Sequence, residues 1–255
     1  RVHELEHGGA LAVDDVRADE AAEQDPAPDA QAALPYREGA PPGVGHLVPA
    51  RDVVVDAGAD DPEVLARGGG ATWMTGSYDP ELGSIYWGVG NPNPDFYGGA
   101  RPGDNLFTSS LIALDAATGT LRWHYQFTPH DLHDWDSAHV PVLADLRIDG
   151  TLRKVVMVAN RNGFFYVLDR TNGELLLGKP FTDTTWAREI GPDGRPIVLN
   201  DGSQGCLPDV WGGTNFMPPS FDPSLRLFFV TARETCATYV PEKQVIVPGR
   251  GSTLG

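Results

Sequence analysis

Ala113-Leu114-Asp115-Ala116-Ala117-Thr118-Gly119-Thr120-Leu121 returns further along the chain as Val167-Leu168-Asp169-Arg170-Thr171-Asn172-Gly173-Glu174-Leu175. In each copy an apolar run ends in Asp-x-x-Thr/Asn-Gly and a second run starts at once. The aspartate and the glycine suit a hairpin turn, with Gly119 and Gly173 supplying a positive φ that a side chain resists. A second echo pairs Ser77-Tyr78-Asp79-Pro80-Glu81-Leu82 with Ser220-Phe221-Asp222-Pro223-Ser224-Leu225, each followed by an aromatic run. Four short strands per unit, recurring at roughly 40 to 55 residues, are how a β-propeller blade reads in sequence. A β-sandwich also yields short strands but would not repeat its turn chemistry so literally. The expected fold class is therefore all-β, a partial β-propeller.

Strands are expected over 84–89, 111–114, 121–127, 154–159, 164–168 and 227–231, where β-branched and aromatic residues cluster between Gly, Pro, Asn and Asp. Between two of them lies Asn160-Arg161-Asn162-Gly163, whose Asn-Gly pair predicts a tight hairpin turn at Asn162-Gly163. Upstream of Gly68 the texture changes. Residues 1–67 carry 15 Asp and Glu against 5 Arg, lack Ser, Thr and Asn, and have Tyr36 as their only aromatic. Such a stretch cannot build much of a core. It reads as an acidic Ala/Pro-rich segment, poorly ordered or non-native, such as a shifted reading frame would give, with a short helix near 11–24. The chain thus divides into 1–67 and 68–255.

Thirty-five acidic against 19 basic side chains leave a net charge of −16 over 255 residues, which repels a phosphate backbone and argues against nucleic acid as partner. No apolar run approaches the roughly 18 residues of a membrane-spanning helix. Two cysteines, Cys206 and Cys236, are too few for a four-cysteine zinc site and leave one disulfide or two thiols. Arg1 is preceded by no basic-then-apolar leader in this sequence, so an export signal is expected to have been removed or to lie outside it.

The chemistry-bearing residues cluster in Thr128-Pro129-His130-Asp131-Leu132-His133-Asp134-Trp135-Asp136. On an extended chain, residues two apart project to one side, so Asp134 and Asp136 would aim both carboxylates at one point, the beginning of a hard-cation site. The imidazoles of His130 and His133 are expected to serve as structural hydrogen-bonding groups. A second constellation, Gly88-Val89-Gly90-Asn91-Pro92, puts an amide oxygen at the end of an aromatic strand. It lacks the third glycine of a dinucleotide loop.

Taken in order, Gly68-Gly69-Gly70-Ala71-Thr72-Trp73, Tyr78-Asp79-Pro80, Gly88-Val89-Gly90-Asn91-Pro92, Arg101-Pro102-Gly103-Asp104-Asn105, Thr128-Pro129-His130-Asp131, Asp134 and Asn160-Arg161-Asn162-Gly163 resemble the quinoprotein alcohol dehydrogenases. The resemblance runs from about Gly68 to Tyr239 and is not seen in 1–67. It implies an eight-bladed propeller, of which 68–255 can hold only part, and a pyrroloquinoline quinone (PQQ) cofactor. Trp73 matches the indole on which the quinone stacks, and Arg161 and Asn215 match groups that bond it. Asn91 matches a metal ligand, and Asp134 matches the catalytic carboxylate that also lies against the metal. Calcium-dependent members carry a small neutral residue two places after the catalytic aspartate, whereas lanthanide-dependent members carry a second Asp. This chain has that second Asp, Asp136, a third metal ligand, and the expectation is a lanthanide(III) site over Ca2+.

The implied activity is oxidation of a primary alcohol to an aldehyde, with electrons passed to an external cytochrome or membrane quinone, since no haem-attachment Cys-x-x-Cys-His occurs in this sequence. A sugar or polyol dehydrogenase of the same cofactor class and a non-catalytic propeller fragment acting as a scaffold are the alternatives. The resemblance also implies a periplasmic location and a structural disulfide between Cys206 and Cys236. A homo-oligomer is a further partner expectation. The family's N-terminal blades supply a glutamate metal ligand and an adjacent-cysteine pair, neither recognisable in 1–67.

Overall fold

The computed structural model describes residues 2–4, 10–13, 68–199, 206–240 and 242–243. Two short strands, β1 (Val2–Glu4) and β2 (Ala10–Val13), come first. Then β3 (Ser77–Asp79), β4 (Ser84–Gly88), β5 (Ser110–Asp115) and β6 (Leu121–Gln126) form one antiparallel sheet in chain order. A second meander follows, made of β7 (Val142–Ile148), β8 (Thr151–Ala159), β9 (Phe164–Asp169) and β10 (Leu175–Pro180). A small hairpin, β11 (Ala187–Ile190) with β12 (Pro196–Val198), leads to β13 (Ser220–Asp222) and β14 (Leu227–Phe229). All six strands expected from sequence form, with ends shifted by a few residues.

The two echoes are the turns that shape these sheets. The Oδ1 atoms of Asp79, Asp115, Asp169 and Asp222 each accept a backbone N–H two residues on, from Glu81, Ala117, Thr171 and Ser224. In the β5–β6 and β9–β10 turns the Gly119 and Gly173 amides also donate to the carbonyls of Asp115 and Asp169, each at 2.8 Å. The Asn162-Gly163 turn is longer than expected. Gly163 N–H donates to Asn160 O and Asn160 N–H to Phe164 O, and only Gly163 has positive φ (89°). A two-residue type I′ turn needs both central residues at positive φ, so this is the three-residue form.

The second sheet is buried on both faces, and the pleat divides its residues between two cores. Val156, Val158, Phe164, Tyr166 and Leu168 face the first sheet with Tyr86, Leu111 and Phe127. Their neighbours Val155, Met157, Phe165 and Val167 face the other way, toward Phe228 and Val230 beside β14. Alternate residues therefore serve opposite cores, which is why β9 reads as an unbroken apolar run rather than an alternating one.

Arg170 pins the first two sheets together. Its carbonyl accepts from Tyr86 Oη at 2.8 Å and Trp123 Nε1 at 3.3 Å. Its guanidinium reaches Asp79 at 2.6 Å and Asp145 at 2.7 Å. Trp123 lies over Gly173, where a Cβ would meet indole Cε3 at 2.8 Å.

Residues 11–13 differ from the short helix expected near 11–24. β2 pairs with β14, so the third sheet runs β1-β2-β14-β13 and joins residues from both sides of the 67/68 boundary. Part of 1–67 is thus regular structure, because β14 otherwise presents an unpaired edge that an apolar Ala-Leu-Ala-Val segment can satisfy. Residues 11–13, expected to begin a helix, are strand; 14–24 lie outside the described residues. No helix among the described residues is long and apolar enough to cross a membrane.

Removing one partner of a buried ion pair leaves the other charge uncompensated, at a cost of about 3 kcal/mol or more. Arg170→Ala should lower the denaturant-derived unfolding free energy by that order, and Lys in its place should not restore it. The Asp79 carboxyl is buried, and the Arg170 hydrogen bond leads the contacts that hold it below its ordinary 3.8. Its contribution is therefore fully present above about pH 4 and is lost as pH falls below that value. Acid titration of Arg170→Ala should show a shallower loss of stability in that window than the parent chain.

Candidate functional site

Trp73 is placed by a short backbone ladder. Gly69 bridges Pro92, Gly70 N–H donates to Asn91 O at 2.7 Å, and Gly90 N–H donates to Ala71 O at 2.9 Å. The indole remains 47% exposed, an open apolar face. Its Nε1–H donates to Asp136 Oδ2 at 3.0 Å. Asp136 Oδ1 accepts the Asn91 backbone N–H at 2.9 Å, and Arg161 Nη2 stands 3.4 Å from Oδ2. Gly90 leaves room for this carboxylate, since a Cβ there would run into Asp136 Oδ1.

Arg161 projects from the β8–β9 turn and is buried. Its Nη1 donates to the backbone oxygen of Asp134 at 2.7 Å and its Nη2 to Asn215 Oδ1 at 3.2 Å. Asn215 is held in turn by Trp211 O and Phe216 N–H. Asn91 Nδ2 donates to Pro92 O and to Asp95 Oδ1, which leaves its amide oxygen as the acceptor atom.

The acid-bearing loop is not the extended strand that would align Asp134 with Asp136. Asp131 is buried and caps the loop from within, accepting the backbone N–H groups of His133 and Trp135. Asp134 sits at φ 60°, in the left-handed region. The indole Nε1 of the intervening Trp135 donates to Asp209 O at 2.9 Å, and its ring stacks on His133 at 3.9 Å. His130 Nδ1 bonds Gly103 O at 2.7 Å.

The electrostatics are lopsided. Burial, together with Asp95, Asp136 and Asp131, pushes the Asp134 carboxyl up to about 8, and Arg161 offsets only part of this. Asp95 is likewise raised, first by burial and then by Asp131 and Asp136. An excess of half-buried acid is the donor chemistry that a hard cation relieves. Among the described residues, no three acid, imidazole or thiolate side chains stand close enough to hold a metal by themselves. The cluster fits part of a coordination shell.

The candidate residues from sequence thus meet around one carboxylate, Asp136, which touches Trp73, Asn91 and Arg161, with Asn215 one bond further out. Asp134 enters mainly through its backbone oxygen. Sequence reading missed Asp95, whose partner Asn91 is four residues away, because nothing local marks it as part of the cluster.

Residues 32–180 match the PQQ family described as glucose/ethanol/alcohol dehydrogenase, β-propeller domain. The chain belongs to that PQQ propeller family. The family match begins upstream of Gly68, where the motif resemblance was expected to start. Similar proteins include the quinoprotein alcohol dehydrogenase PedH of Pseudomonas putida, 42% identical over 185 residues, 68% of this chain and 31% of that protein. The lanthanide-dependent methanol dehydrogenase of Methylorubrum extorquens is 36% identical over 210 residues, 73% of this chain and 34% of that protein. Among solved structures, a europium-containing methanol dehydrogenase aligns with TM-score 0.64 and 35% identity over 68% of this chain and 31% of that chain. The quinohemoprotein alcohol dehydrogenase of Comamonas testosteroni gives 0.62 and 40% over 65% of this chain and 26% of that chain. This member of the PQQ propeller family spans about a third or less of those relatives. The Cys206–Cys236 disulfide is formed, with Cα atoms 4.7 Å apart. Closing that loop contributes about 3 to 4 kcal/mol in the chain-entropy model.

Gly90→Ala should displace Asp136 and press on the Ala71 backbone, breaking the Trp73–Asp136 bond without unfolding the sheets. Tryptophan emission should shift while far-ultraviolet dichroism stays within error of the parent; an unchanged emission spectrum would separate Gly90 from the carboxylate's placement.

Proposed function

We propose that this chain is one part of a PQQ-dependent dehydrogenase that oxidises a primary alcohol to an aldehyde. The convergence of Trp73, Asn91 and Arg161 on Asp136 carries the reading. When bound, the quinone supplies the two-electron chemistry, accepting hydride from the alcohol carbon.

This chain's residues would do the rest. The exposed indole of Trp73 offers a flat apolar platform for a planar ring. Arg161 has five donors, of which the described contacts occupy a part, so its fork can also hold a ligand oxygen. A carboxylate has about four lone-pair positions. Asp136 meets Asn91 N–H, Trp73 Nε1–H and Arg161, which leaves lone-pair directions free for a cation, while the Asp134 carboxylate would take the alcohol proton. The amide oxygen of Asn91, with carboxylates of the Asp95, Asp134 and Asp136 cluster, would contribute to the cation shell, and further ligands would come from outside the described residues.

The proton-accepting role stays with Asp134: with no cation bound, burial and the neighbouring acids push its carboxyl up to about 8, which makes it a stronger base than an ordinary carboxylate, and a cation beside it would keep it ionised. Thr128-Pro129-His130-Asp131 fixes the register of the motif, so the second Asp two places after Asp134 is Asp136, an added anionic oxygen that favours a lanthanide(III) over calcium. The external acceptor would be a cytochrome or membrane quinone, and a formed disulfide suits an oxidising compartment such as the periplasm.

In the full-length protein loaded with PQQ and lanthanum, Asp134→Asn should abolish dye-linked ethanol oxidation while PQQ binding stays within about tenfold. Unchanged turnover in Asp134→Asn would remove it from the role. Lanthanum or cerium should reconstitute activity; full reconstitution by calcium with none by either lanthanide would overturn the rare-earth reading. Absence of quinone binding in the full-length protein would favour a scaffold.

A further inference from the structure

We propose that Tyr239 is a positioning residue of this site, a wedge that sets the 91–96 loop against the 131–136 loop. The inference deepens the reading above and rests on it for the site's purpose, but its geometry stands separately.

After β14 the chain runs along the 206–213 loop as a strap. Arg233 N–H donates to Gly213 O at 2.8 Å, Asp209 N–H to Thr235 O at 2.8 Å and Ala237 N–H to Cys206 O at 3.0 Å. The Cys206–Cys236 disulfide bolts the same two segments together. Three residues beyond the bolt, the Tyr239 ring enters between Phe96, at 5.4 Å, and His133, at 5.2 Å and nearly perpendicular (88°).

Those two contacts are neighbours of the acids. Phe96 follows Asp95, which holds the Asn91 side-chain amide at 2.9 Å. His133 precedes Asp134 and stacks on Trp135, the residue between the two candidate carboxylates, at 3.9 Å and 9°. One ring therefore spans both loops that supply oxygen ligands, edge-on to His133 and tilted by 38° against Phe96, which fixes separation as well as adding contact area.

The hydroxyl does not do the holding. Tyr239 Oη is buried with no hydrogen-bond partner among the described residues. Removing an unsatisfied buried donor is close to neutral or stabilising, whereas removing the ring takes away the wedge. Phenylalanine should thus serve in place of tyrosine, and alanine should not.

The test uses the 255-residue chain, hydrogen exchange and Tb3+ as the probe, its luminescence sensitised by nearby tryptophans. Tyr239→Ala should raise exchange in 91–96 and 131–136 while β8 and β9 keep their protection. It should also weaken Tb3+ binding by about tenfold, the usual cost of losing an outer support of a metal site. Tyr239→Phe should match the parent in both measurements. If Phe is as damaging as Ala, the hydroxyl is the functional group and the proposal fails. If Ala leaves exchange in both loops unchanged, or Tb3+ binds Ala and parent equally, there is no wedge. Should the parent chain not bind Tb3+ while the exchange pattern holds, the wedge is supported, and Tb3+ binding by the full-length protein then decides the cation reading.

Discussion

The β7–β10 sheet is covered on both faces, and this double burial is what the rest of the molecule depends on. Successive residues of β8 and β9 enter different cores, so a one-residue slip in register would exchange the contents of both at once. That makes the β8–β9 turn a fixed point. Arg161 sits in it, and the polar contacts that define the site are measured from that guanidinium.

A fixed cation in a low-dielectric setting organises the acids around it. Arg161 faces Asp136, takes the backbone of Asp134 and reaches Asn215, while Arg101 is buried against the carbonyls of Asp131, Asp95 and Pro94. These two guanidiniums do not balance Asp95, Asp131, Asp134 and Asp136; burial first, and then the neighbouring acids, displace Asp134 and Asp95 upward. Leaving acids crowded in this way is costly in a structural loop and useful in one that takes up a positive ligand. Trp73 stays open beside them for the same reason that it can serve a planar cofactor: nothing in the described chain covers its face.

Local chemistry was readable from the chain. The four aspartate turns announced themselves because each is closed by atoms within a few residues of one another. Long-range contacts gave no such signal. Neither the seating of Trp123 over Gly173 nor the hold of Arg170 on Asp79 has a local trace, and β2 became visible as a strand only where it met the edge of β14. The acid loop shows the limit most plainly. Its residue types marked it as chemical, but the period-two rule used to orient Asp134 and Asp136 assumes an extended backbone, and the left-handed Asp134 breaks that assumption.

The sequence by itself determined the β class, the repeating unit, the family motifs and the set of side chains from which a site could be made, because these follow from short-range periodicity and residue type. Only the tertiary structure decided which carboxylate stands at the junction of Trp73, Asn91 and Arg161, that Asp95 joins them, and that Tyr239 arrives between their loops. The direction of a side chain depends on backbone dihedrals and on partners many residues away, and no local pattern encodes either.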